Sequence, residues 1–275
     1  MKHVFYGDWN LIKSGSFSGK FNMDVDCSLL EQLKSGNGRP TLRFFRWKTP
    51  TISYGINQHR IERIIDFDRC RESKIEVVQR PTGGRELLHG YDLSYSVVSH
   101  IGTDGHSYSG VRGRCKLIHQ AIIAGLIKYG LRADKFPVVS KLSHNYDLES
   151  VKPCFYSLTG DEISYDGYKL VGSAQRCESH VFLQHGSIQL YYGTSGIVNY
   201  LKMSDSGKRK RLKDLMDNSV TSIDRIKEVS GVSKMIDVKE IENSIASSFT
   251  EFFEITFKER SIADIKSENT VQQII

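Results

Sequence analysis

The sequence predicts an α+β fold with a mainly antiparallel sheet flanked by helices, and three observations carry that expectation. Short β-branched and aromatic runs punctuated by glycine crowd residues 41–100, an Asp-Gly hairpin signal lies at 162–171, and helical periodicity brackets both. No internal repeat or Pro-rich linker interrupts the chain, so residues 1–275 read as a single domain with a helical C-terminal segment from about 200.

In order, FNMDVDCSLLEQLKSG spaces Val25, Leu29, Leu30 and Leu33 as a helix over about 22–35, with Gly36 able to stop it. TLRFFRW (41–47) and TISYG (51–55) read as two strands and a turn around Lys48-Thr49-Pro50. EVVQRP, GGRELLH and DLSYSVVSH continue the strand signal over 76–100. Between about 108 and 131, Leu117, Ile118, Ala121, Ile122, Leu126 and Ile127 share one broad helical face. EISYDGYKLV turns about Asp166-Gly167, VFLQHGSIQLYY (181–192) adds a strand, and residues 238–259 read as an amphipathic helix.

Composition excludes several function classes. The longest apolar stretch, Ala121–Ile127, spans seven residues, against about 20 for a bilayer-crossing helix. Met1–Asn10 has no apolar core of a signal peptide, so a cytoplasmic protein without membrane partners is expected. Five widely spaced cysteines without a CxxC pair argue for free thiols and against disulfides or zinc. With 38 Lys+Arg and 32 Asp+Glu, the net charge of +6 is too small to imply nucleic acid by itself and is compatible with acidic protein partners.

Motif by motif, the chemistry narrows. Gly15–Lys20 has one residue too few between its glycines for a phosphate loop, and Phe21 stands where Ser or Thr is required. No dinucleotide fingerprint, nucleophile elbow or zincin motif is present, and His180 and His185 lack ligand-spaced partners, so no metal is expected. The run Lys208-Arg209-Lys210-Arg211 with Lys213 reads first as a solvated helix face and second as a dock for an acidic partner. Arg80-Pro81-Thr82-Gly83-Gly84-Arg85 offers either a plain turn or a backbone that a ligand can approach closely.

Lys169 heads a strand that ends in the small residues Gly172, Ser173 and Ala174, and a lone strand lysine points by default to solvent. Cys154 follows Pro153, fifteen positions earlier. It is either a small buried hydrophobe or a nucleophile, since a thiol of pKa about 8.5 is only about 3 % thiolate at pH 7 unless a nearby cation lowers it. The other four cysteines, Cys27, Cys70, Cys115 and Cys177, are expected to be packing residues.

Taken in order, Ser18–Asp24, Pro40–Trp47, Arg80–Arg85, Lys169–Gln175 and Leu183–Ser187 resemble the biotin/lipoate protein ligase (BPL/LPL) family, and within it the octanoyl-acyl carrier protein:protein N-octanoyltransferases. Gly83-Gly84-Arg85 resembles the transferases more than the triple glycine of the ligases, and Pro153-Cys154-Phe155 looks like the transferase cysteine. Gln79 stands where the family often has a second arginine, and Gly90-Tyr91 follow His89 where an acidic residue is usual.

The resemblance implies a BPL/LPL-type catalytic domain in which Cys154 is the acyl-carrying nucleophile and Lys169 lowers its pKa. It places Arg80, Gly83, Gly84, Arg85, His89, Gly172, Ser173, Ala174, His185 and Gly186 around the acyl group. The implied donor is octanoyl-acyl carrier protein, its acyl group on phosphopantetheine, and the implied acceptor is a lipoyl-domain protein such as glycine-cleavage H protein. No cofactor is then needed. An ATP- and magnesium-dependent lipoate or biotin ligase is the alternative within the family, and a silent lipoyl-handling module is the alternative outside catalysis.

Overall fold

The structure is a computed structural model that describes residues 5–102, 110–136, 162–231 and 235–268. Cys154 lies outside the described residues.

A seven-stranded sheet carries the molecule. Its strands are β1 (Asp8–Phe17), β2 (Thr41–Trp47), β6 (Asp92–His100), β7 (Ile163–Tyr165), β8 (Tyr168–Glu178), β9 (Val181–Gln189) and β10 (Thr256–Arg260), in the order β10-β1-β2-β6-β9-β8-β7. β10, β1 and β2 run parallel and the remaining pairs antiparallel, so the sheet is mainly antiparallel as the sequence predicts. A second sheet, β4-β3-β5, is built from β3 (Thr51–Gly55), β4 (Glu76–Arg80) and β5 (Leu87–His89).

β2 and β3 match their predicted limits but belong to different sheets. β2 is already paired on both edges, by β1 and β6, so no edge remains for residues 51–55 to form a hairpin. Lys48–Pro50 is a crossing between sheets.

Alternation along β6 sorts the layers. Leu93, Tyr95 and Val97 enter the largest apolar cluster, beneath α3 (Val111–Lys128) and α6 (Val238–Phe253). On the opposite face, Val98 packs with Leu29, Leu30 and Leu33 of α1 (Gly19–Lys34), and Phe45 and Trp47 of β2 pack with Met23 of α1 and Val78 of β4. A third cluster behind the small sheet joins Ile52, Leu88 and Cys70 of α2 (Phe67–Glu72) to Leu212 and Met216 of α4 (Ser206–Asp217), while α5 (Ile223–Val229) adds Ile223 and Ile226 to the largest cluster.

α1 begins three residues before its expected start because Ser18 caps it and the Glu76 carboxylate accepts the Gly19 and Lys20 amides at 2.7 and 3.0 Å. α6 ends six residues before its expected limit. Glu254 takes a left-handed conformation, Ile255 is buried, and residues 256–260 leave the helix to pair with the open edge of β1.

The basic run is split by α4. Lys208, Lys210 and Arg211 are exposed, whereas the Arg209 guanidinium donates to the Val198 carbonyl, tying the preceding 3₁₀ segment, Thr194–Tyr200, to the helix, and to the carbonyls of Leu201 and Met203 at 3.1 and 2.7 Å. Of the cysteines expected to pack, Cys70 alone is buried; Cys115 is half-buried and Cys27 and Cys177 are exposed.

α3 and α6 cross where Gly125 meets Ile245, and a Cβ at Gly125 would lie 2.5 Å from the Ile245 Cα. Backbone cannot yield as a side-chain tip does. Gly125→Ala is therefore expected to lower stability by about 1–3 kcal/mol through overpacking, read as a lower urea midpoint at unchanged slope.

Candidate active site

β8 is where the site begins. Asp166 and Gly167, both with positive φ, turn the β7–β8 hairpin as the sequence predicts. The pairing then slips between Ile163–Val171 and Ser164–Lys169, giving β8 one extra residue, and Leu170 and Val171, adjacent in the chain, both enter the large cluster. At the slip the Lys169 amide donates to the Ser219 carbonyl, and its own carbonyl accepts the Thr221 amide, both at 2.9 Å.

Lys169 is fully buried, contrary to the default for a lone strand lysine, and its ammonium is paired with the Glu162 carboxylate. An ammonium held out of water needs such a partner.

Between the two sheets lies a cleft that opens to solvent and is mostly apolar in its lining. Its floor crosses the strands, since Phe45 pairs with Ser94, Ser94 with Ser187, and Ser187 with Gly172. Three inter-strand steps make a path of about 14 Å. Met23, Phe45, Trp47 and Leu87 supply the apolar wall, with Phe45 and Trp47 at the β2 end.

Of the residues expected at the ligand, Arg80, Gly84, His89, Gly172, Ser173, Ala174, His185 and Gly186 line this cleft. Gly83 and Arg85 stand off its lining because their carbonyls turn back to the Arg80 guanidinium, which donates to them at 2.8 and 2.7 Å. Gly84, at φ +90°, makes that turn possible, and a Cβ there would lie 2.7 Å from Arg80 Nη2. Lys169 also stands off the lining, three residues before Gly172.

Two buried carboxylates fix the histidines. Asp92 accepts from His89 Nδ1 at 2.9 Å, Ser94 Oγ at 2.9 Å, Ser187 Oγ at 2.7 Å and the Gly90 amide at 3.1 Å. With Nδ1 committed, His89 Nε2 accepts the Ser53 hydroxyl at 2.8 Å, and Trp47 stacks on the ring at 4.1 Å. Asp26 accepts from Arg43 at 2.7 Å, Ser96 at 2.8 Å and His185 Nδ1 at 3.3 Å, and His185 Nε2 meets the Thr82 hydroxyl at 2.5 Å.

Burial alone would raise both carboxyls. For Asp26 the Arg43 guanidinium and His185 outweigh it, and for Asp92 the opposing groups are His89, Ser187 and the Gly90 amide, so both are held below the usual carboxylate range. Burial pushes His185 down, against the pull of Asp26.

On the α3 side, Ser173 meets two groups absent from the sequence reading, Tyr95 Oη at 2.7 Å and His119 Nε2 at 2.8 Å. Burial, and secondarily the Lys169 charge, pushes His119 down to about 4. Asp26, Asp92, Thr82, Tyr95 and His119 escaped sequence reasoning, all but Asp92 because their partners lie far off in the chain. Asp92 alone left a local signal, an acidic residue three positions after His89.

Residues 18–250 match the description of the lipoyl protein ligase A/B catalytic domain. The chain is 30 % identical over 267 residues to octanoyltransferase LipM of Carboxydothermus hydrogenoformans, covering 97 % of this chain and 94 % of that one. To octanoyltransferase LipM of Staphylococcus epidermidis it is 31 % identical over 272 residues, with 97 % and 94 % covered. Among solved structures it resembles the bi-partite lipoate protein ligase of Thermoplasma acidophilum, with a TM-score of 0.69 at 18 % identity, covering 95 % of this chain and 90 % of that one.

Asp26→Asn strands a buried guanidinium and is expected to cost about 3–5 kcal/mol, whereas adding Arg43→Met removes the stranded charge and recovers part of the loss. Because Asp26 titrates below its ordinary 3.8 when folded, the unfolded chain binds more protons between the two values. Its contribution is complete above the ordinary value and lost as pH falls through the folded one. Urea titrations from pH 6 to 2 should show a steep acid limb in the wild type and a flatter one in Asp26→Asn.

Proposed function

Because the chain belongs to the lipoyl protein ligase A/B catalytic-domain family, we propose that it is an octanoyltransferase of protein lipoylation that carries the acyl group on Cys154. The observation that supports this most is the cleft itself. An apolar channel that starts at Gly172, three residues from a buried lysine, and ends at Phe45 and Trp47 suits a medium acyl chain laid across the strands with its carbonyl at the β8 end.

The donor in this reading is octanoyl-acyl carrier protein. The Cys154 thiolate adds to the thioester carbonyl, the bond to the phosphopantetheine sulfur breaks, and that sulfur leaves to take a proton. The neutral amine of the acceptor lysine, on a lipoyl-domain protein such as glycine-cleavage H protein, then adds to the acyl-Cys154 carbonyl. An amide forms, the carbon–sulfur bond breaks, and the proton lost by nitrogen restores the thiol.

The thioester supplies the activation, so no nucleotide is consumed. Lys169 favours the thiolate by its charge, while Glu162 holds that charge inside the protein. Exposed Lys208, Lys210 and Arg211 offer an acidic carrier a complementary surface.

Incubation with octanoyl-acyl carrier protein and no ATP, followed by intact-protein mass spectrometry, is expected to show one octanoyl adduct on the wild type and none on Cys154→Ala. An unmodified wild type that acylates its acceptor only with ATP would instead establish the ligase chemistry. If Lys169 lowers the thiol by about two units, Lys169→Met should slow acylation at pH 7 by about 25-fold, with the loss recovered as pH rises past about 8.5.

A further inference from the structure

α4 is charged against its own dipole. Lys208, Lys210 and Arg211 stand in its first two turns, where there is no acidic residue, and Asp214 and Asp217 come toward its end. A helix carries partial positive charge at its N-terminus, so cations there weaken it and these three do not hold it together. Asp205 caps that end, accepting the Lys208 amide at 2.9 Å, while Leu212 and Met216 seat the inner side of the helix in the cluster behind the small sheet.

Elsewhere surface cations lie against carboxylates, as Lys20 does against Asp24 at 2.7 Å and Lys135 against Asp166 at 2.9 Å. Lys213 follows that pattern with Asp217 at 2.6 Å. Among the described residues no carboxylate pairs with Lys208, Lys210 or Arg211, and all three are exposed.

The other end of α4 leads to the site. Ser219 accepts the Lys169 amide and Thr221 donates to the Lys169 carbonyl, both at 2.9 Å, so the chain leaving the helix is joined to the slip in β8. From Asp217 back to Arg211 and Lys208 the helix rises about 9 and 14 Å.

We propose that the outward face of α4 bearing Lys208, Lys210 and Arg211 is where the acidic donor carrier docks, and that it serves acyl-enzyme formation alone. The inference rests on the acyl-transfer reading above and deepens it by giving the donor its own surface, offset from the reacting atoms.

The offset decides between the two partners. The donor carrier holds its thioester on a phosphopantetheine arm, so its body can rest on α4 while the thioester reaches the β8 end of the cleft. The phosphate at the carrier end of that arm adds negative charge beside the same cations. An acceptor lysine has only a four-carbon stem, so its domain must come up to the cleft itself. Charges at the rim of such an interface steer and orient the partner more than they tighten it.

The test separates the half-reactions. Acyl-enzyme formation is followed by rapid quench and intact-protein mass spectrometry at increasing octanoyl-acyl carrier protein. Lys208→Ala/Lys210→Ala/Arg211→Ala is expected to raise the half-saturating carrier concentration about tenfold, to leave the saturated rate within about twofold, and to flatten its dependence on salt. With octanoyl-pantetheine, which has the thioester but neither carrier nor phosphate, the variant should match the wild type, which also reports an intact fold. Transfer from preformed acyl-enzyme to a lipoyl-domain acceptor should likewise be unchanged. The same loss of three charges at exposed Lys74, Lys116 and Lys239 should raise the half-saturating concentration by less than about threefold.

An unchanged half-saturating concentration, an equal rise in the Lys74, Lys116 and Lys239 variant, slowing with octanoyl-pantetheine, or equal slowing of transfer to the acceptor would overturn the inference while leaving the transferase reading intact. A wild type that forms no acyl-enzyme would overturn both.

Discussion

The arrangement depends on two carboxylates buried where the sheets meet. Asp92 gathers four donors, and through His89 and Ser53 it reaches Arg80, so a single polar thread runs from β6 into all three strands of the small sheet. Asp26 does the same from α1, through His185 to Thr82 and through Arg43 to β2. Apolar packing would draw two sheets into contact. Here directional bonds hold them together at their polar ends while Met23, Phe45, Trp47 and Leu87 remain around an open channel.

The same economy governs charge. Arg43 is wholly buried yet donates to Asp26, Ser14, and both the carbonyl and the side-chain oxygen of Asn22, while Arg80 is spent on the backbone of residues 83 and 85 and on Ser53. Lys169, on the slipped register of β8, differs. Its charge is paired with Glu162 and lies within reach of His119, whose titration it lowers. The glycines expected to touch ligand divide accordingly: Gly84 serves Arg80, whereas Gly186 lets Tyr95 and Ser173 close against β9, a Cβ there lying 2.6 Å from the Tyr95 ring and 2.7 Å from Ser173 Oγ.

Much of this was legible in the sequence. The limits of β2 and β3, the Asp166-Gly167 turn and the helical face of α3 follow from local pattern, and the ordered motifs placed eight of the cleft residues. The destination of a strand was harder to read. Residues 51–55 look like a hairpin partner of 41–47 until β1 and β6 occupy both edges, and residues 256–260 look helical until the open edge of β1 recruits them. His119 and Tyr95 were invisible for the same reason. Their roles exist only once α3 lies against β6 and β8, bringing together residues that are 24, 54 and 78 apart in the chain.

The channel running from β8 to β2 as the acyl site is the central claim, and a crystal structure of the octanoyl-loaded protein tests it most directly. The chain should lie between the sheets, with its carbonyl near Gly172 and Ser173 and its methylenes passing Ser187 and Ser94 toward Phe45 and Trp47. An octanoyl chain lodged elsewhere, with the space between Phe45 and Gly172 empty, would contradict it.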